Sequence, residues 1–261
     1  MTMWRAVALL LFVLVVGAAT VAFIAPAEWA AIGLRAASRG HADLAEASGT
    51  LWHGQATLVL RAGPDADAVR ASLPERLSWD LSPWPLLAGV VDLTLSHPSA
   101  LEQPLRVRID ARDRKVSLSG DKLRLPASLL VGLGAPFNTI RPGGRIEIDW
   151  QRLDIAAGHV NGQIGAHWAY ASSALTPVSP MGEYQLDTNG VFPGTTLTLH
   201  TVAGPLELKG SGTIGEGGRL RFQGVARALP GTDAAVKTQL TGLISLLGRR
   251  DGDDAILNFG S

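Results

Sequence analysis

The chain has 261 residues, with 23 Lys plus Arg against 23 Asp plus Glu and no cysteine. The balanced charge leaves no electrostatic footprint for nucleic acid, and the missing cysteine removes disulfides, thiolate metal sites and a thiol nucleophile together. Thirty Gly and fifteen Pro beside two Tyr point to many turns and short extended segments rather than long helices.

A tail of residues 1–5 comes first, and residues 6–25, AVALLLFVLVVGAATVAFIA, then run without a charge. At about 1.5 Å per residue this stretch covers about 30 Å, the thickness of a bilayer's hydrocarbon core. Trp4 and Trp29 stand just outside its two ends, where indole rings favour the headgroup layer. The run reads as one retained transmembrane helix, with the tail in the cytoplasm and the bulk of the chain exported, because a long domain is translocated largely regardless of its charge. A cleaved secretory signal competes, since Thr20-Val21-Ala22 supplies small residues at cleavage positions, but its apolar stretch is usually roughly 7 to 15 residues. Both readings export the rest of the chain.

After the run, AEWAAIGLRAASRG reads as a short helix at the outer membrane face, closed by Gly40. Beyond Ser48 the apolar pattern takes a period of two: Leu58 and Leu60, Val91, Leu93 and Leu95, Val107 and Ile109, Val116 and Leu118, Leu123 and Leu125. It resumes after residue 143 with Ile146, Ile148 and Trp150, Leu153 and Ile155, Ile164 and Trp168, Tyr184 and Leu186, Leu197 and Leu199, Leu206 and Leu208, Leu220 and Phe222. Such alternation marks strands with one wet and one buried face, and the turn signals between them predict antiparallel neighbours. Two helical interludes are expected, Pro126 to Leu133 and Thr232 to Leu247, the second behind a Thr232 or Asp233 cap.

The halves resemble each other. Gly54, a strand, Trp79, a proline loop at Pro83 and Pro85, Gly89 and a further strand are matched by Gly162, Trp168, Pro177 and Pro180, Gly182 and a strand from Tyr184. A tandem duplication explains both. The expected fold is therefore mainly β: a single N-terminal transmembrane helix, then a tandem-repeated, strand-rich curved antiparallel sheet module with a few short helices. Its parts are a cytoplasmic tail (1–5), the span (6–25), a first periplasmic repeat (26–142) and a second (143–261).

Chemistry is sparse. Gly210 to Gly215 matches GxGxxG, but Glu216-Gly217-Gly218 and Leu220-x-Phe222 turn the chain into another strand, whereas a dinucleotide site needs a helix N-terminus. The six histidines, at 41, 53, 97, 159, 167 and 200, show no i, i+3 or i, i+4 pairing and no HExxH. No nucleophile elbow occurs, and Asp110, Glu147, Asp149 and Asp187 fall on the outward phase of strands. No catalytic, cofactor-binding or metal residue is nominated. Trp52, Trp79, Trp84, Trp150 and Trp168 read as core side chains in preference to a sugar or lipid groove.

With these motifs the chain resembles the type II secretion system protein N family. The likeness runs through Gly49-Thr50-Leu51-Trp52-His53-Gly54, Leu77-Ser78-Trp79-x-Leu81-x-Pro83, Leu86-Leu87-x-Gly89, Gly143-Gly144 with Ile146-x-Ile148-x-Trp150, Pro180-Met181-Gly182-x-Tyr184 and Gly242 to Arg250. The resemblance implies a non-enzymatic accessory component of the bacterial inner membrane, facing the periplasm, whose partners are other secretion components; it implies no cofactor and no catalytic residue. An alternative is a membrane-anchored lipid-binding or lipid-transfer protein of the envelope, in which the sheet forms an apolar trough. The inner face discriminates: a trough leaves a long apolar strip uncovered, whereas a docking module buries it under the helices near 126–133 and 232–247.

Overall fold

The computed structural model describes residues 4, 7, 24–63, 68–134 and 137–260. Except at Val7, Ile24 and Ala25, the expected span over 6–25 lies outside the described residues. Among the described residues no helix is long and apolar enough to cross a membrane.

Helix α1 (Glu28–Ala37) leads into β1 (Ala42–Gly49), β2 (His53–Arg61), β3 (Arg70–Ser72), β4 (Leu77–Leu81), the one-turn helix α2 (Pro83–Leu86), β5 (Val90–Ser96), β6 (Leu105–Asp110) and β7 (Lys115–Leu118). Then come β8 (Asp121–Pro126), a 3-10 helix (Ala127–Leu133), the one-turn helix α3 (Phe137–Ile140), β9 (Pro142–Trp150), β10 (Leu153–Ala156), β11 (His159–Asn161) and β12 (Ile164–Ser173). The chain finishes with β13 (Gly182–Asn189), β14 (Thr195–Ala203), β15 (Leu206–Ile214), β16 (Leu220–Ala228), α4 (Ala234–Leu247), β17 (Arg249–Asp251) and β18 (Asp254–Phe259). The mainly β, antiparallel character expected from the period-two pattern is what the chain adopts. The first helical interlude is a 3-10 helix, and the second starts behind Asp233, whose carboxylate accepts the Ala235 N–H at 2.8 Å.

Two nine-stranded sheets result. The first runs β1-β2-β4-β5-β6-β7-β10-β11 with β3 also on β2; the second runs β17-β18-β16-β15-β14-β13-β12-β9-β8. The chain finally passes to the second sheet between β11 and β12, after two earlier crossings, from the first sheet to the second between β7 and β8 and back between β9 and β10. Both earlier crossings belong to one long antiparallel ribbon, 115–126 against 145–156, whose register is kept throughout: Leu118 faces Leu153, and Asp121 faces Trp150. A side chain at Gly120 would overlap the Gln151 carbonyl oxygen, so the bend brings the two backbones together at a glycine.

At that bend the apolar alternation changes phase on both strands. Val116 and Leu118 give way to Leu123 and Leu125, and Ile146, Ile148 and Trp150 give way to Leu153 and Ile155. An unbroken pleat would send these sets to opposite faces. Residues 119–120 and 151–152 are not strand, and the ribbon turns over there. As a result Leu123 and Leu125 of the second sheet pack with Leu58 and Leu60 of the first around Leu73, Ala100 and Leu129, the last from the 3-10 helix.

Two further clusters complete the core. Ala27, Ala56 and Trp79 gather Ala30, Leu44, Leu93 and Leu95 where α1 meets the first sheet. Leu240, Leu243 and Ile244 of α4 lie over Tyr184, Leu206, Phe222, Ala226, Ala255 and Leu257 of the second. The indoles of Trp79 and Trp168 make similar hydrogen bonds in the two sheets. Trp79 faces Gly54 across the ladder and donates its indole N–H to Leu51 O, three residues before that partner, at 3.0 Å; Trp168 faces Ile146 and donates to Gly143 O, again three residues before, at 2.9 Å. Twice in the second sheet a helical stretch separates two antiparallel strands, the 3-10 helix and α3 between β8 and β9, and α4 followed by β17 between β16 and β18.

Candidate functional site

The residues that sequence singles out for chemistry are scattered. Among the described residues no group of three or more His, Cys, Asp or Glu is placed to hold a metal ion. His41, His53, His159 and His200 are exposed, and His53 pairs with Asp80 on the neighbouring strand. His97 alone is buried, and it serves the fold: its Nδ1 accepts the N–H of Ala100 at 3.0 Å and of Ser99 at 3.3 Å, closing the turn after β5. Asp110 accepts the N–H groups of Arg112 and Asp113 at 3.0 and 3.2 Å and so caps the β6–β7 hairpin. Glu147 pairs with Arg145 at 2.9 Å, and Asp187 accepts the Gln185 amide at 3.0 Å. The glycines of the GxGxxG string have a packing reason: side chains at Gly210 and Gly212 would run into Phe222 and the β16 backbone.

Among the described residues a buried carboxylate gathers two arginines at the start of β1. Asp43, with a side chain 4% exposed, takes Arg35 from α1 at 2.6 Å and Arg61 from β2 at 2.7 Å on the same oxygen, while its other oxygen accepts the Leu44 N–H at 2.9 Å. Burial by itself would raise the carboxyl's pKa. The hydrogen bond and charge of Arg35, the Leu44 N–H and the charge of Arg61 outweigh it and hold the group below its ordinary value. This cluster ties α1 to the first sheet and carries no reacting group. Tyr184, buried and bonded through its hydroxyl to Leu206 O at 3.1 Å, has its pKa pushed up by burial. It is a core tyrosine.

What the structure presents to a partner is surface. Helix α4 and the 3-10 helix cover part of the apolar faces, but Leu105, Val107, Val116, Leu118 and Ile155 stay half-buried and Ile109 is exposed, outside all three clusters. At the free end of the second sheet, β17 pairs with β18 alone and exposes Arg249, Arg250 and Asp251. The tryptophans divide. Trp79 is 6% exposed and core, Trp52, Trp150 and Trp168 are half-buried, and Trp84 is 71% exposed. The core reading of Trp84 is thereby corrected: Pro83 and Pro85 hold it in the one-turn α2, outside the sheet, where the alternation that buries its neighbours does not reach. The proline pair is the signal in sequence that this indole stands apart.

No curated protein and no solved structure matches this chain. The family described as type II secretion system (T2SS), protein N, matches residues 41–257, taking in β1 to β17 whole and β18 as far as Leu257. The chain therefore belongs to the type II secretion system protein N family and is a component of that secretion machinery.

Proposed function

We propose that the protein is an accessory inner-membrane component of the secretion system, held by one N-terminal span with residues 26–261 in the periplasm, and that it works by protein contact. The family match across both sheets carries this reading. A sheet end such as β17 offers a row of backbone N–H and C=O groups to which a partner strand can add, and its two arginines and aspartate guard it against pairing with copies of itself. Residues 26–142 and 143–261 act as two copies of one module, a reading supported by the similar indole hydrogen bonds of Trp79 and Trp168. Exchange of β8 and of β10–β11 between the sheets then locks the copies into one body.

Crosslinking in native membranes followed by co-purification tests the function. Other secretion components should be recovered, and a deletion strain should export its folded substrates less well. Single substitutions of histidine, aspartate or glutamate that leave folding intact should not reproduce that defect; one that did would make the protein an enzyme. A second reading, an apolar trough for lipid, is favoured by the half-buried strip from Leu105 to Ile155. Recovery of lipid without secretion components would select it.

A further inference from the structure

The exposed apolar side chains near the start of the first sheet converge on one end of it. β4 runs antiparallel to β2, so α2, which follows β4, lies where β2 begins, and the Leu81 N–H bonds Trp52 O at 2.7 Å. The β6–β7 hairpin comes to the same end, with Ala111 N–H on Gly89 O at 3.0 Å. The chain leaving the apolar run arrives there too: Leu51 N–H bonds Ala25 O at 2.8 Å, and Ala27 N–H bonds Gly49 O at 3.2 Å. At this end Trp84 and Leu87 are 71% and 82% exposed, Ile24 and Trp29 on the arriving segment are exposed too, and the hairpin adds exposed Arg112 and Arg114. Of the neighbouring acids, Asp110 is engaged on backbone N–H groups and Asp113 is exposed.

We propose that this end of the sheet is a second membrane contact, in which Trp84 and Leu87 enter the headgroup layer of the bilayer that residues 6–25 cross, with Arg112 and Arg114 against lipid phosphates. The proposal rests on the anchor reading above. The occupant is a phospholipid surface because the segment that directly continues the apolar run and the end of β4 that leads into the patch are both hydrogen-bonded to the same turn at residues 49–52, which brings the patch to the depth where the chain leaves the hydrocarbon. An indole, a leucine and arginines are side chains suited to that layer: the ring is amphipathic, and a guanidinium forks onto phosphate. A single span leaves a domain free to tilt and swing about its exit point. A second contact at the same end stands the first sheet on the membrane and points its opposite end, at Gln103, away from it.

The absence of cysteine makes the full-length chain a ready background for single labels. Leu87→Cys, Gln103→Cys and Leu14→Cys, each carrying an environment-sensitive fluorophore, are reconstituted into vesicles of phosphatidylethanolamine and phosphatidylglycerol and quenched by doxyl-labelled lipid or by aqueous iodide. The label at 87 should be quenched by shallow doxyl groups several-fold more than the label at 103, and be shielded from iodide. Equal iodide quenching at 87 and 103, with 14 quenched by lipid, overturns the contact and leaves the anchor standing. A label at 14 open to iodide overturns the anchor and the contact with it. Shielding of 87 in native membranes but not in the purified vesicles assigns the patch to a protein partner and also rejects the proposal.

Discussion

Asp43 joins two elements that share no backbone ladder, since Arg35 comes from α1 and Arg61 from β2. Asp43→Asn should destabilise the fold by about 2 to 3 kcal/mol at pH 7, less than the full cost of breaking a buried pair because Arg35 is free to turn into water. The sign of its pH dependence follows from the lowered pKa: the folded state takes up the proton less readily than the unfolded chain, whose value is 3.8. The contribution is complete above about pH 4 and is lost as pH falls through the lowered folded value. Urea unfolding of both proteins at pH 7 and pH 3 should show the gap narrowing in acid. Trp79 sits at the same scale. Trp79→Ala should cost about 3 to 5 kcal/mol as a buried indole, and Trp168→Ala somewhat less because Trp168 is half-buried. A loss below about 1 kcal/mol at both would remove them from the core. Gly54→Ala should approach the cost of losing Trp79, since the added methyl would overlap the indole ring.

Between the sheets the decisive element is the ribbon of β7–β8 and β9–β10. Its alternation changes phase at Gly120, and there is no room for a methyl between Gly120 and the Gln151 carbonyl. Gly120→Ala should therefore cost about 3 kcal/mol or more and lower the cooperativity of unfolding, because the sheets would lose the turn that brings Leu123 and Leu125 onto Leu58 and Leu60. Circular dichroism with a denaturant titration reads both effects; unchanged stability would show that the ribbon accommodates the turn elsewhere. Helix α4 offers a milder case. Asp233→Ala removes the side chain that accepts a hydrogen bond at its start and should cost about 1 kcal/mol. Apolar residues of α4 that face the sheet, such as Leu240 and Leu243, should cost about 2 to 5 kcal/mol each on truncation to Ala.

At the scale of the molecule, two sheets that exchange strands respond as one body. Destabilising changes placed in the first sheet, at Trp79, and in the second, at Leu240, should shift a single unfolding transition; two separated transitions in calorimetry would show that the halves fold independently.

Much of this was legible in the chain. Alternation placed most of the strands but not β1, β3, β11, β17 or β18, because a side-chain period of two is local and shows only where the run is long enough and apolar enough. Asp233 and the apolar spacing behind it located α4. Alternation states which face a residue takes, but not which strand lies beside it. The exchange of β8 and β10–β11 therefore appeared only in three dimensions, where the phase change at Gly120 finds its counterpart at Gln151. The Asp43 cluster depends on α1 folding back over the first sheet, where Arg35 and Arg61 keep the buried carboxylate charged against its burial. The exposure of Trp84 is decided by Pro83 and Pro85 lifting one turn of helix out of the sheet, and its place beside the exit of the apolar run is decided by the antiparallel pairing of β2 and β4. Local patterns write elements; the long-range pairing of backbone groups and the steric limits at a few glycines decide how those elements meet.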